Sequence, residues 1–364
     1  MREWFSQLAW PALAGVLAAV LLLNAEWLTP SKRASGPDSY SSAVAVATPS
    51  VVNIYTAKLV ADRSPILNAP LLRRFTNPID RQPRVERSLG SGVIMSKDGH
   101  IITNRHVIDG AQSIQILLSD GRRANATVVG TDSETDLALL KTDLADLSAI
   151  EVANSNEINV GDVVLAIGNP YGFGHSVSLG IVSGLERYGL QLSAYENYIQ
   201  TDATIHLGNS GGALIDSEGH LVGINTLIYT GANDSSNEMS GIGINLATPS
   251  NVVNSVMTDL IEYGSVIRGW LGVSVDLLLG FDEEGRATQS LLVTETAAGG
   301  PAQRAGIEVG DLIVGLDAVA VTDARQAMQT IARLRPGDRV LVGLQRDNSE
   351  FEVEAIVASR PTVN

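Results

Sequence analysis

The residues best placed to do chemistry are Ser210, in Gly208-Asn209-Ser210-Gly211-Gly212, His106, in Thr103-Asn104-Arg105-His106-Val107, and Asp136, in Asp136-Leu137-Ala138-Leu139-Leu140. A serine between glycines sits on a tight turn, where neighbouring backbone N–H groups can face the point that its hydroxyl attacks. Serine at its ordinary pKa is a poor nucleophile, so a general base must take its proton. His106 fits that base, and Asp136 fits the group that holds the imidazole in one tautomer. The N–H groups of Gly208 and Ser210 would supply the oxyanion hole. Each residue alone has a plainer explanation: a loop, a structural histidine, a turn aspartate. The three together, each beside a short strand, point to acyl transfer through an acyl-enzyme.

These side chains need elements to carry them. From Leu89 to about Leu246, short apolar or alternating runs are punctuated by turn residues, as in Ser113-Ile114-Gln115-Ile116-Leu117-Leu118 and Leu221-Val222-Gly223-Ile224-Asn225. Short strands at this spacing form a barrel or sandwich. His106 and Asp136 fall in the first half of this region and Ser210 in the second. Thr248-Pro249 predicts a helix start, with a capping hydroxyl and proline at the first position. Val252, Val253, Val256, Met257, Leu260 and Ile261 recur at helical spacing, and Gly264 ends the helix. A further module of about 95 residues follows from Ser265.

The 364 residues suffice for two or three domains. A formal charge of -15 argues against nucleic acid as the main partner. Zero cysteines exclude disulfides, thiolate metal sites and a thiol nucleophile. No metal-ligand cluster or phosphate-binding glycine loop stands out, so no metal and no cofactor are expected. Trp4 to Ala25 carries no charge and is long enough to span a bilayer. A cleaved signal peptide is the competing reading, but Leu23-Asn24-Ala25 is a poor cleavage site. Residues 29 to 39 read as a flexible tether. Residues 62 to 88 lose periodicity and carry Pro65, Pro70, Pro78 and Pro83, as a long functional or mobile loop would.

The chain resembles the HtrA family of serine proteases. The matching segments are Leu89-Gly90-Ser91-Gly92-Val93-Ile94, Thr103 to Val107, Thr135-Asp136-Leu137-Ala138, Ala166-Ile167-Gly168-Asn169-Pro170-Tyr171, and Gln200-Thr201-Asp202-Ala203 running into Gly208 to Gly212. The order His–Asp–Ser is the chymotrypsin one. The resemblance implies a mainly β protein: a chymotrypsin-like double β-barrel protease domain followed by one α+β PDZ domain. It divides the chain into an anchor (1–28), a tether (29–48), the protease domain (49–248), a linker helix (249–264) and the PDZ domain (265–360). It resembles most the membrane-anchored, stress-sensing branch of the family. That branch implies a homotrimer in the bacterial inner membrane, with both domains in the periplasm.

The same resemblance assigns further residues. Arg268-Gly269-Trp270-Leu271-Gly272-Val273 is similar to the carboxylate-binding loop and following strand of a PDZ domain. Trp270, Leu271, Gly272, Val273 and Met328 would bind a peptide C-terminus, although Met328 could equally be core. Arg187 and Tyr171 match the sensor arginine and a tyrosine near the activation loops. Leu192 stands where that branch tends to carry proline. The loop at 62–88 corresponds to one that reaches towards other subunits; a plain surface insertion is the alternative. Thr204, six before Ser210, offers no acid for a basic side chain, which favours a small or branched apolar residue before the scissile bond. His206 is expected as a wall or loop residue. His175 would contact substrate or nothing, and His100 and His220 would be solvated. The implied partners are an anti-sigma factor-like membrane protein as substrate and C-termini of misfolded outer-membrane proteins as activating peptides. A general quality-control protease and a non-enzymatic peptide-binding scaffold are the alternatives.

Overall fold

The computed structural model describes residues 14–16, 19–20, 39–60, 84–169, 174–187, 196–206, 208–228, 245–281, 287–321, 324–347 and 349–360. Most of the N-terminal span, the tether up to residue 38, residues 62–83, Tyr171 and Leu192 lie outside them. Among the described residues, no helix is long and apolar enough to cross a membrane. Met1–Ser42 and Ala43–Asn364 are separate compact units.

The tether expected up to residue 48 ends earlier. Ser41–Ala47 is helix α1 and Thr48–Ser50 a 3-10 turn. Ala43 and Ala47, four residues apart on one helical face, are both buried. Strand β1 (Val51–Val60) follows and pairs with β2 (Arg84–Ile94), from Val51 opposite Val93 to Val60 opposite Arg84. Residues 84–88, expected in the long loop, therefore belong to β2.

With β3 (His100–Asn104), β4 (Ser113–Leu117), β5 (Arg123–Asp132) and β6 (Leu137–Lys141), these strands close a barrel in the order β1-β2-β3-β6-β5-β4. A second barrel closes in the order β10-β11-β12-β9-β8-β7. Its strands are β7 (Val163–Gly168), β8 (Ser176–Arg187), β9 (Tyr198–Thr201), β10 (Ala213–Ile215), β11 (Leu221–Ile228) and β12 (Asn245–Pro249). Closure leaves no unpaired edge. Alternation sets the cores: in β4, Ile114 and Ile116 point inward while Ser113 and Gln115 are exposed. Ile54, Ile101 and Leu140 fill the first barrel, and Val182, Ile199 and Leu214 the second.

The linker helix differs in detail from its sequence reading. Pro249 pairs with Gly223 as the last residue of β12, so its backbone is extended. It is the N-cap, not the first helical residue, and Thr248 Oγ1 is buried in the strand with no partner among the described residues. Helix α2 (Arg105–Ile108) is a single turn; α3 (Ser250–Tyr263) is the linker. Gly264 ends α3 at φ +70°, its N–H bonded to Leu260.

Beyond it, β13 (Gly269–Trp270) pairs with β20 (Ala358–Ser359). A sheet runs β14 (Val273–Phe281), β15 (Ala287–Thr296), β16 (Leu312–Leu316), β18 (Arg339–Arg346), β19 (Ser349–Ile356), with β17 (Val319–Ala320) on β16. Helices α4 (Pro301–Arg304) and α5 (Ala324–Arg333) accompany it. Leu291, Val293, Ile313, Val342 and Leu344 form its core. This module docks on the first through ion pairs. Arg335 bridges both oxygens of Asp259 on α3 at 2.6 and 2.8 Å. Arg268 forks onto Asp132 and reaches Glu134 at 3.2 Å, and Arg360 also meets Glu134.

Asp259 is only 1 % exposed, so removing its cation strands a buried charge. Arg335→Ala should lower stability by about 2 kcal/mol, discounted from the fully buried case because Arg335 is half-exposed. Asp259→Asn/Arg335→Ala should recover part of that loss. Chemical denaturation of the three proteins checks this; equal midpoints for wild type and Arg335→Ala would contradict it.

Candidate active site

His106 lies on α2, directly after β3, and Asp136 lies directly before β6, which pairs with β3. Strand pairing therefore brings them together. His106 Nδ1 is hydrogen-bonded to Asp136 Oδ2, and the His106 N–H donates to Asp136 Oδ1 at 3.0 Å. The Arg105 N–H and Asn104 Nδ2 both donate to the Asp136 carbonyl, at 2.8 and 3.1 Å. Asp136 has φ +56°, a conformation that aspartate tolerates better than most residues. The carboxylate thus fixes the Nδ1 side of the ring and leaves Nε2 as the nitrogen able to act as base.

Ser210 comes from the second barrel, on the loop before β10. Gly208 and Gly211 adopt φ +98° and +83°. Asn225 accepts the Gly211 N–H at 2.8 Å and donates its own N–H to the Gly212 carbonyl at 2.9 Å, locking the loop to β11. Among the described residues, the N–H groups of Gly208 and Ser210 donate to no protein acceptor. The Ser210 hydroxyl donates to the Thr226 carbonyl at 3.1 Å and not to His106. The structure thus joins His106 to Asp136 and leaves the Ser210 hydroxyl turned to β11.

Sequence reasoning missed the residues that join the two halves. Asn104 Nδ2 reaches Thr226 Oγ1 at 2.9 Å, tying the residue before the His106 turn to the strand that holds the Ser210 hydroxyl. Asn104 stands two residues before His106 and was visible in the motif; nothing in the sequence marked Thr226. Ser91 also bonds to the serine loop. His206 is exposed, and its carbonyl accepts the Asn209 N–H at 2.9 Å. Thr204 is exposed, and its carbonyl accepts the Ser178 hydroxyl. Among the described residues, no group of His, Asp or Glu is placed to hold a metal.

In the C-terminal module, a groove of about 280 Å³ runs between β14 and α5. Trp270, Leu271, Gly272, Val273 and Met328 line it. Met328 is 41 % exposed, so it belongs to the groove wall and not to the core. Gly272 has φ +79°, and a Cβ there would stand 3.1 Å from the Trp270 ring. The Leu271 and Gly272 carbonyls accept N–H groups from Ala302 and Ala297, both at 2.8–2.9 Å, which fixes the loop.

Comparison with known proteins agrees with this architecture. Residues 90–224 match the model of a trypsin-like peptidase domain and residues 269–357 that of a PDZ domain. The serine endoprotease DegS of Escherichia coli (strain K12) is 39% identical over 332 residues, covering 90% of this chain and 88% of DegS. The chain belongs to the HtrA family of serine endoproteases. DegS of Haemophilus influenzae is 40% identical over 354 residues, covering 96% of this chain and 97% of its own. The solved HtrA-type protease AlgW with decapeptide superposes with a TM-score of 0.72 at 43% identity, covering 89% of this chain and all of that one.

In this HtrA chain the remaining histidines are bonded. His100 and His220, expected in solvent, are half-buried in hairpin turns, where His100 Nδ1 meets Ser96 Oγ at 3.0 Å and His220 Nδ1 meets Asp216 at 3.1 Å. His175 Nε2 lies 2.9 Å from the Val51 carbonyl and ties the start of β8 to the start of β1. Arg187 ends β8, and its Nε donates to Gln200 Oε1 on β9 at 2.8 Å.

Burial pushes the His175 pKa down, and the Val51 carbonyl only partly offsets this. Burial likewise lowers His100, helped by Lys141. A lowered folded pKa means that the unfolded chain binds more protons just below the ordinary histidine value. Stability is therefore full above pH ~6.5 and falls as pH drops through the unfolded towards the folded value. The unfolding midpoint should fall between pH 7 and 5, and His175→Gln should fall less steeply. Parallel slopes would show that His175 is not a source.

Proposed function

We propose that His106, Asp136 and Ser210 are the catalytic triad of a membrane-tethered periplasmic endoprotease whose activity is switched on by peptide C-termini. Ser210 Oγ attacks the scissile carbonyl while His106 Nε2 takes its proton, and Asp136 steadies the imidazolium. The N–H groups of Gly208 and Ser210 receive the oxyanion. His106 then protonates the leaving amine, and water hydrolyses the acyl-enzyme by the same route reversed.

The observation that carries this reading is the pairing of a formed His106–Asp136 couple with a Ser210 hydroxyl bonded to Thr226. The base is ready and the nucleophile is not, as befits an enzyme that waits for a signal. The groove at Trp270–Val273 and Met328 supplies the input: a peptide adds to the edge of β14, its carboxylate at the loop and its last side chain beside Met328. The name of the solved relative records a bound decapeptide. Arg187 and Tyr171 are the proposed sensor residues, with Arg187 exchanging Gln200 for a carbonyl of the activation loops. Helix α5, which walls the groove, also contacts the protease domain: Gln329 donates to the Glu196 carbonyl at 2.6 Å. By kinship with DegS, the substrate is the periplasmic part of a transmembrane anti-sigma factor, the activating peptides are C-termini of misfolded outer-membrane proteins, and the assembly is a homotrimer held in the inner membrane by residues 1–28.

A peptide activates only through its greater affinity for the active state. Free-acid peptides ending in an apolar residue should raise kcat/KM for a protein substrate by roughly 5- to 150-fold, the usual range of allosteric coupling. The amidated peptides should lose most of this effect. Ser210→Ala should abolish turnover with the fold intact, and Arg187→Ala should weaken activation while peptide binding persists. Equal stimulation by free acid and amide, or turnover in Ser210→Ala, would refute the scheme.

A further inference from the structure

Ser91 is fully buried on β2 of the first barrel, yet its bonds reach the nucleophile loop of the second. Its N–H donates to the Ser210 carbonyl at 2.9 Å, and its carbonyl accepts the Thr103 hydroxyl at 2.7 Å. Its hydroxyl donates to the Gly208 carbonyl at 2.7 Å and accepts the Asn169 N–H at 3.0 Å. Every polar atom of the residue is in use, and the hydroxyl serves two backbone groups, each more than seventy residues from Ser91 in the chain.

The peptide planes of the loop give these bonds their meaning. The Gly208 carbonyl and the Asn209 N–H share one plane, held by Ser91 at one end and by the His206 carbonyl at the other. The Asn209 carbonyl is held by the Gly212 N–H. The next plane is held by the Ser91 N–H and by the Asn225 carbonyl. Gly208 sits at φ +98° and has no side chain to limit its rotation. Its carbonyl is therefore the point where the loop could turn, and the Ser91 hydroxyl is the side-chain group that holds it.

We infer that Ser91 is a positioning residue for peptide hydrolysis. Its hydroxyl keeps the Gly208 carbonyl turned towards β2, so that the N–H groups of Gly208 and Ser210 stay available to the developing oxyanion. Through the Asn169 N–H, the same hydroxyl ties that geometry to the start of the β7–β8 connection. An oxyanion hole works by being fixed before charge develops, so loosening it costs rate and not substrate affinity. Alanine at this position leaves the Gly208 carbonyl and the Asn169 N–H without their partner.

The inference rests on Ser210 being the nucleophile, so the test includes Ser210→Ala. In the full chain, Ser91→Ala should lower kcat for a peptide substrate roughly 10- to 100-fold, with KM within about twofold of wild type. A peptidyl boronate, which resembles the tetrahedral intermediate, should bind more weakly by a similar factor, while a substrate-like peptide binds as before. Ser91→Cys, with its weaker donor, should recover part of the rate. If Ser91→Ala does not fold, Ser91→Gly, which leaves room for a water, carries the same expectation. Wild-type kcat in the folded variant overturns the proposal. So does a loss explained wholly by fewer titratable Ser210 sites that each turn over normally. An active Ser210→Ala would instead overturn the catalytic assignment itself.

Discussion

The site depends on how closely three stretches of backbone approach one another. The Ser210 loop is pressed between β2 of the first barrel and β7 of the second. A Cβ on Gly211 would stand 2.2 Å from the Ser91 carbonyl oxygen, and one on Gly212 would stand 2.2 Å from that of Ile167. One on Gly168 would meet the Asn209 backbone at 2.7 Å. No side chain fits at such distances. Glycine is required here for room as much as for dihedral freedom. The close approach brings Ser91 within reach of the loop. The crevice between two separately closed barrels becomes a site because this contact has no slack.

What the sequence made legible follows from the same physics. Gly208 to Gly212 announced itself because a tight turn with backbone donors admits few residue types. His106 and Asp136 could be paired because each flanks a strand, and β3 and β6 are neighbours. The bonds across the crevice were hidden. Thr226 acts through its carbonyl and a hydroxyl deep in β11, and no local pattern marks a strand threonine for that task. Ser91 stood in plain view between two glycines, but its role is defined by groups at 169 and 208, far off in the chain. Thr248 shows the opposite failure. It reads as a helix cap, and the β11–β12 ladder holds it extended instead.

Unmet hydrogen-bonding capacity is concentrated around the site. Asn104 Oδ1, Asn169 Nδ2, Asn209 Oδ1 and Asn225 Oδ1 are buried without partners among the described residues. Each such atom costs stability, and most native interiors avoid them. Here they surround the serine loop and the start of the β7–β8 connection, where the Ser210 hydroxyl is bonded to the Thr226 carbonyl. A hydrogen bond made to one of these amides is worth of the order of 1 kcal/mol.

The contacts that dock the PDZ domain converge on the same place. Arg268 is 12 % exposed and lies between Asp132 and Glu134, and Thr135 Oγ1 bonds to that same Asp132. Asp136 is the next residue. Charges this dehydrated give back much of their attraction as lost hydration, so their net contribution to stability is small. Their directional contribution is large, because a guanidinium forked onto a carboxylate permits one relative orientation. The turn that aims the Asp136 carboxylate at His106 is therefore held in part by Arg268, one position before the Gly269–Trp270 strand. Arg360, just after the last strand of the module, lines the groove beside Trp270 and Met328 and pairs with Glu134 in the same turn. The groove wall and the residue that bonds His106 are thus linked through the Arg360–Glu134 pair, two residues before Asp136.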